Sequence, residues 1–142
     1  MPDRSLPIGL RLTQTARVVS QAFERAMVEA GGSASTWQVL LLVRSRNWDK
    51  QSELAEAMGV TSATVTHHLN GLERDGLIRR WREPGNRRVQ RVELTDDGVA
   101  MFDRLRSVAA EHDARLRALL GEAEAEQLDA LLARLAAGVM SA

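Results

Sequence analysis

The stretch that most constrains the fold runs from residue 51 to residue 98, where two short helix patterns precede two strand patterns. In chain order the segments are a helix at 52–58, a turn at Gly59-Val60, a helix at 61–74 that Thr61 can cap, and strands at 77–81 and 89–94 with a polar loop between them. Two helices joined by a tight turn and followed by a hairpin predict a winged helix-turn-helix. Such a fold inserts its second helix into the major groove of DNA.

The segments outside this stretch also carry apolar residues at helical spacing. The predicted helices are 6–30, ended by Gly31-Gly32, a second one capped by Ser33 or Ser35, a third at 95–120 capped by Thr95, and a last one at 122–138 after Gly121. Trp48, just before Asp49, is positioned to pack against the start of helix 52–58. The outer helices carry more apolar surface than a winged unit can cover, which favours a homodimer over a monomer with its terminal helices packed together.

These elements define the predicted fold class as mainly α with a small β-hairpin wing: a winged helix-turn-helix flanked by N- and C-terminal dimerisation helices. A length of 142 residues predicts a single domain, residues 1–142. Within it we expect the DNA-binding lobe at 33–98 and the dimerisation helices at 6–30 and 99–139.

Composition excludes several classes of protein. The chain is 44% hydrophobic and 27% charged, as is typical of a globular protein. Its longest purely apolar run, residues 39–43, is far shorter than the ~20 residues that cross a bilayer. It has no cysteine, which excludes disulfides and thiolate metal sites. Because no apolar signal core follows the N-terminus, we expect a cytoplasmic protein without a membrane partner.

The net charge is zero, but the charge is unevenly distributed along the chain. Between residues 79 and 91 a single acid, Glu83, accompanies six arginines: Arg79, Arg80, Arg82, Arg87, Arg88 and Arg91. Local potential governs the encounter with DNA more than total charge does, so this hairpin is a predicted DNA contact. The alternative is a solvated hairpin edge whose charges only prevent aggregation.

The helix at 61–74 is the expected reading helix. Val65, Leu69 and Leu72 share an inward face, and the other positions point outward. The candidate DNA-binding residues of this helix are Thr61, Ser62, Thr64, Thr66, His67, His68, Asn70 and Arg74. Ser62, Thr64 and His67 are the expected base contacts, with His68 next. Hydroxyl and imidazole groups discriminate bases weakly, so DNA shape and backbone contacts are expected to contribute the rest of the specificity.

Histidine and tryptophan side chains are the possible ligand groups of this chain. Adjacent His67 and His68 point about 100° apart on a helix, so they cannot chelate one metal ion, and we expect no metal or cofactor. His112 lies in the apolar seam of helix 95–120, where a histidine more often packs than senses a ligand. Trp37 is also more often a core residue. The candidate ligand-binding residues are nevertheless Trp37, His112 and Arg17, of which Arg17 is the expected partner of an anionic ligand.

Several short motifs occur in a fixed order: Leu54-Ala55, Leu72-Glu73, Gly76-Leu-Ile-Arg-Arg80, Asn86-Arg-Arg88 and Leu94-Thr95-x-x-Gly98. With them the chain resembles the MarR family of bacterial transcription regulators over nearly its whole length, as a single MarR-like domain. The resemblance implies an obligate dimer that binds pseudo-palindromic operators and mostly represses genes. It also implies release of DNA when a small aromatic or anionic molecule binds between the dimer helices and the DNA-binding lobes. Asn86, Arg87 and Arg88 join the candidate DNA-binding residues.

Two positions depart from the family's pattern. The family's wing usually carries Asp-Arg-Arg, with the acid bracing the arginine that enters the minor groove, whereas Asn86 offers Arg88 only a neutral hydrogen bond. Position 67, commonly arginine in the family, is a histidine, which weakens the expected groove contact. The family's cysteine-based oxidant sensors are excluded because this chain has no cysteine.

The sequence therefore predicts a dimeric, sequence-specific DNA-binding transcription regulator, a repressor that a small organic ligand releases. The alternative is an architectural or constitutive winged-helix DNA-binding protein without such a switch. An enzyme is a third class, since Glu111 and His112 could transfer protons, but no phosphate loop, nucleophile motif or metal set accompanies them. We expect a non-enzymatic protein whose partners are double-stranded DNA, a second copy of itself and a small organic effector.

Overall fold

The computed structural model of the protein describes residues 6–45 and 51–141. In chain order the elements are α1 (Ile8–Glu29), α2 (Ala34–Ser45), α3 (Gln51–Met58), α4 (Ser62–Arg74), β1 (Ile78–Glu83), β2 (Asn86–Leu94), α5 (Asp96–Leu120) and α6 (Glu122–Met140). The predicted contact of Trp48 lies outside the described residues. The chain divides into two compact units, residues 1–108 and 109–142. No helix within the described ranges is both long enough and apolar enough to cross a membrane.

The core of the first unit lies among α2, α3, α4, β1 and the beginning of α5. Its buried residues are Val39, Leu40, Val43, Leu54, Ala55, Val65, Leu69, Leu72, Ile78 and Phe102. The three α4 members of this set occupy the inward face predicted from their spacing, because a period of 3.6 residues brings i, i+4 and i+7 to one side of a helix. The core therefore determines which sides of α4 are available to a partner.

Polar side chains secure the corner between α1 and α2. The Ser33 hydroxyl accepts from the Thr36 amide at 3.0 Å, so Ser33, of the two predicted candidates, caps α2. Glu24 of α1 accepts from the Ala34 amide at 2.8 Å, which places a carboxylate at the positive end of α2. Arg104 Nη1 of α5 donates to the carbonyl of the α1 C-cap at 3.1 Å. These contacts join α1 to both α2 and α5.

The two strands form an antiparallel hairpin that is longer than predicted. Strand β1 extends to Glu83 and β2 begins at Asn86, so the turn consists of Pro84 and Gly85. The predicted bounds, 77–81 and 89–94, were wrong because charged and polar side chains do not prevent a segment from adopting strand backbone. Glu83 pairs with Asn86 and Arg82 with Gln90, so residues 87–89 of β2 lie in a bulge between these two pairs.

A close joint connects the base of the hairpin to α5. Thr95 accepts from the Gly98 amide at 3.1 Å, which confirms the predicted cap, and its hydroxyl donates to the Gly76 carbonyl at 2.6 Å. The Thr95 amide donates to the Leu77 carbonyl at 3.0 Å. A Cβ atom at position 98 would lie 2.0 Å from that same carbonyl oxygen. Only glycine therefore allows α5 to begin here.

The second unit contains the remainder of α5 and α6, separated by Gly121, whose φ of 87° suits glycine. Within it, Ala125 is buried and an ion pair joins Arg117 to Asp113 at 2.8 Å. The hydrogen bond and the charge of Asp113 raise the pKa of Arg117. The leucines of α6 at 128, 131, 132 and 135 are exposed, which leaves an apolar stripe on this unit.

Candidate nucleic-acid interface

The N-terminus of α4 is exposed and carries its predicted cap. Thr61 Oγ1 accepts from the Thr64 amide at 3.2 Å and lies 2.9 Å from the Thr64 hydroxyl. Thr61 and Ser62 are exposed, and Thr64 is half-buried. The first turn of α4 thus presents hydroxyl groups together with the positive end of the helix dipole, a combination suited to a phosphate or a base edge.

The outermost strip of α4 contains Ala63, His67, Asn70 and Arg74, which are all exposed. His68 is half-buried and turns toward α2. There, with His67 and Arg74, it lines a cleft of about 150 Å³ that Thr36 and other residues complete. Of the two histidines, His67 is therefore the better placed to reach a groove.

One flank of α4, formed by Thr66, Asn70 and Glu73, is bonded to its neighbours, and we call it the polar flank. The Gln51 side-chain amide of α3 donates to Thr66 Oγ1 and, at 3.2 Å, to a backbone carbonyl one turn earlier. Arg80 Nη2 of β1 donates to Asn70 Oδ1 and, at 3.1 Å, to Glu73 Oε1. The flank is thus held at one end by α3 and at the other by the wing.

The six wing arginines fall into two groups. Four are bonded within the protein: Arg79 to Glu93, Arg80 to the polar flank, Arg82 to the Arg87 carbonyl at 2.8 Å, and Arg91 to Glu83 at 2.7 Å. By contrast, Arg87 and Arg88 are exposed. No hydrogen bond or ion pair joins either of these two guanidinium groups to another residue in the described ranges. Two cationic side chains near the wing turn are therefore available to an anionic partner.

Asn86 supports the wing through the backbone. Its Oδ1 accepts from the Arg88 amide at 3.2 Å, which closes a small turn two residues long. The expected neutral hydrogen bond of Asn86 is thus made to the Arg88 main chain and not to the Arg88 guanidinium.

The candidate ligand residues lie in different settings. Trp37 is half-buried against the core and stacks on Phe102 with ring centroids 5.4 Å apart, which agrees with its alternative reading as a core residue. Two guanidinium carbons, of Arg44 and Arg106, lie 5.1 and 5.8 Å from the Phe102 centroid. Arg17 is exposed on α1 of the first unit, and His112 is half-buried in the second unit.

The chain is similar in sequence and fold to known proteins. A model described as MarR family matches residues 33–89. The transcriptional repressor CouR, bound to a 23-mer DNA duplex, matches with a TM-score of 0.86 and 30% identity, over 96% of this chain and 96% of that one. The chain belongs to the MarR family. CouR bound to p-coumaroyl-CoA matches this MarR-family chain with a TM-score of 0.83, at 28% identity and 96% coverage of each chain. The regulator PecS of Dickeya dadantii (strain 3937) is 27% identical over 126 residues, which span 87% of this chain and 76% of PecS.

Membership of the MarR family makes the protein a transcription regulator and not an enzyme. The proton-transfer interpretation of Glu111 and His112 is therefore set aside. The predicted family and fold class are confirmed.

Sequence reasoning missed two residues that organise this MarR-family interface, Gln51 and Arg80. The alternation of β1 contained a signal for Arg80, since residues 78 and 80 share a face of the strand and Ile78 is apolar. For Gln51 no comparable signal existed, because only the folded chain brings α3 to the polar flank.

Proposed function

We propose that the protein is a homodimeric, sequence-specific repressor in which α4 enters the major groove and the wing contacts the flanking backbone and minor groove. The observation that carries this proposal is the division of the wing arginines. Four of these arginines are bonded within the hairpin or to α4, whereas Arg87 and Arg88 are exposed beside the turn. Guanidinium groups so placed suit phosphates and a narrow minor groove. CouR, which is similar over nearly the whole chain, has been solved in complex with a DNA duplex, and this supports a DNA-binding role.

Base contacts are assigned to the N-terminal part of α4. Ser62, Thr64 and His67 lie where a reading helix meets base edges. They offer short hydroxyl and imidazole groups in place of the guanine-reading arginine, so direct readout is modest and shape contributes. Because its target is DNA, we assign the protein to the cytoplasm.

A second copy of the chain is the expected partner of the apolar surfaces outside the interface. In the first unit, α1 exposes Ile8 (77%), Leu10, Leu12 and Val18. In the second unit, the α6 leucines form the stripe described above. Burying such stripes against identical ones gives a closed twofold assembly, and a twofold assembly matches a palindromic operator.

The effector is assigned to the class of aromatic anions. The half-buried Trp37 ring supplies aromatic surface, and the exposed Arg44 and Arg106 close to it supply positive charge. CouR has been crystallised with p-coumaroyl-CoA, an aromatic thioester, which supports this class. A ligand that binds one conformation more tightly would shift the population away from the DNA-competent one.

Selection of protected sites from genomic DNA, followed by footprinting, tests the proposal. We expect discrete protected dyads with half-sites about one helical turn apart. Affinity should be about 10⁻⁸ M or tighter at physiological salt. Uniform, weak protection along the duplex would instead favour the architectural alternative.

The effector is tested by adding benzoate, 4-hydroxycinnamate and p-coumaroyl-CoA to the protein–DNA complex. Arg44→Gln should release DNA less readily than wild type at equal ligand concentration. Arg25→Gln, a change of an exposed arginine on α1, is the matched control. If none of the three compounds alters binding, the protein is a constitutive repressor.

A further inference from the structure

The polar flank of α4 differs from the rest of its surface in being bonded at both ends. Thr66, Asn70 and Glu73 follow one another at i, i+4 and i+7, and therefore lie in a row along the helix. Gln51 holds the first of them, and Arg80 holds the other two. This row is a seam between α4 and two other elements, although Thr66 and Asn70 belong to residue types that commonly read bases.

Arg80 also differs from its neighbour on the same strand. Only 14% of the Arg80 side chain is exposed, against 68% for Arg79, whose partner is Glu93. Alternation along β1 sends the two side chains to opposite faces of the hairpin. The Arg80 guanidinium has a carboxylate and an amide oxygen as partners, so its charge is compensated within the protein.

We infer that the polar flank, with Gln51 and Arg80, sets the rotation of α4 about its own axis relative to the wing, and that Arg80 is a specificity-determining positioning residue. Rotation matters because a side chain on a helix surface moves sideways as the helix turns, which displaces a reading group from its base edge. Thr66 and Asn70 act through this seam and do not read bases. The inference rests on the proposed DNA-binding function and adds to it the residues that hold the reading helix in register with the wing.

Matched variants of adjacent arginines test this inference. Arg80→Met and Arg79→Met each remove one positive charge from β1 and retain an unbranched side chain. Affinity is measured for the site selected by wild type and for a random-sequence duplex of the same length, across a range of salt concentrations. We expect Arg80→Met to lower the specific-to-random affinity ratio by about tenfold or more, since one misplaced base contact has an effect of this size. Arg79→Met should leave the ratio unchanged.

The two variants should show the same salt dependence as each other, because neither arginine is assigned a phosphate. If Arg80→Met weakens both duplexes by the same factor and also flattens its salt slope, Arg80 contacts phosphate and the inference is overturned. It is also overturned if Arg80→Met and Arg79→Met have equal ratios of specific to random-duplex affinity. Wild-type protein that protects no discrete site would remove the proposed function itself, an outcome distinct from either of these.

Asn70→Asp provides a second measurement that does not depend on the folding of Arg80→Met. A carboxylate at position 70 still accepts from Arg80, so the seam survives and the base preference found by selection from randomised operators should match wild type. An asparagine that read adenine through two hydrogen bonds would lose that reading as aspartate. A changed base preference at one operator position would therefore contradict the inference.

Discussion

Arginines that look alike in the sequence have different surroundings in the folded wing. Arg82 donates to a main-chain carbonyl, Arg91 pairs with Glu83, and Arg88 is exposed. An arginine already bonded within the protein must give up its partner to bind a phosphate, whereas Arg88 gives up only water. Proximity within the sequence is therefore a poor guide to which residue binds DNA.

Arg88→Ala should weaken binding to every duplex by roughly 1–3 kcal/mol. It should also reduce the slope of log affinity against log salt concentration, the salt slope, by about one. The reason is that a phosphate contact carries no sequence information. Titration of labelled operator and random duplexes at several salt concentrations measures both quantities. Arg79→Ala, which removes an arginine paired with Glu93, is the control and should leave the slope nearly unchanged. Equal slopes for the two variants would show that Arg88 is not the phosphate contact.

Gly98 illustrates a residue whose importance is purely steric. Gly98→Ala places a methyl group against the Leu77 carbonyl oxygen, so the start of α5 or the base of the wing must move. Overpacking of this kind costs typically 1–3 kcal/mol of unfolding free energy. Gly85→Ala is the control because nothing lies within 4 Å of the added atom. Urea denaturation followed by circular dichroism should find the first variant destabilised and the second within about 0.5 kcal/mol of wild type. Equal midpoints would contradict the close approach.

At the level of elements, the helices were predictable because their apolar spacing and their caps are both local signals. Thr61 and Thr95 were identified as caps from the sequence, and both accept the expected amide hydrogen bond. The strand bounds were not predictable from side-chain polarity, since β2 begins at Asn86 and includes the charged Arg87 and Arg88. The partition of the arginines and the seam at Arg80 depend on the register of the hairpin and on its packing against α4, which side-chain spacing alone does not encode.

Thr61→Ala should destabilise the protein by about 1 kcal/mol, because it removes the acceptor for one of the unpaired amides at the start of α4. Thr61→Ser retains the hydroxyl and should behave like wild type. Chemical denaturation of the two variants under identical conditions gives the comparison. A Thr61→Ala protein as stable as Thr61→Ser would mean that water replaces the cap without loss.

For the whole molecule, assembly is the property that most depends on surfaces outside the interface. The exposed apolar residues of α1 and α6 exceed the scattered exposure that a stable monomer tolerates. Light scattering coupled to size exclusion should therefore give the mass of two chains at micromolar concentration.

Paired substitutions on opposite faces of α6 examine the basis of that assembly. Leu131→Glu with Leu135→Glu places charge in the apolar stripe and should yield monomers that bind operator weakly. Ala133→Glu with Ala137→Glu places the same charge on other exposed positions of α6 and should remain dimeric. If both double variants stay dimeric, α6 is not part of the dimer contact.

The internal bonding of the wing arginines also bears on how copies of the protein distribute over a chromosome. Affinity for arbitrary duplex grows with the number of phosphates neutralised, because each one releases condensed counterions. Four wing arginines are bonded within the fold, so few wing groups serve this general attraction. A genome presents millions of competing positions, and weak attraction to each leaves more molecules in solution. We therefore expect that a small number of protein molecules per cell is enough to keep an operator occupied.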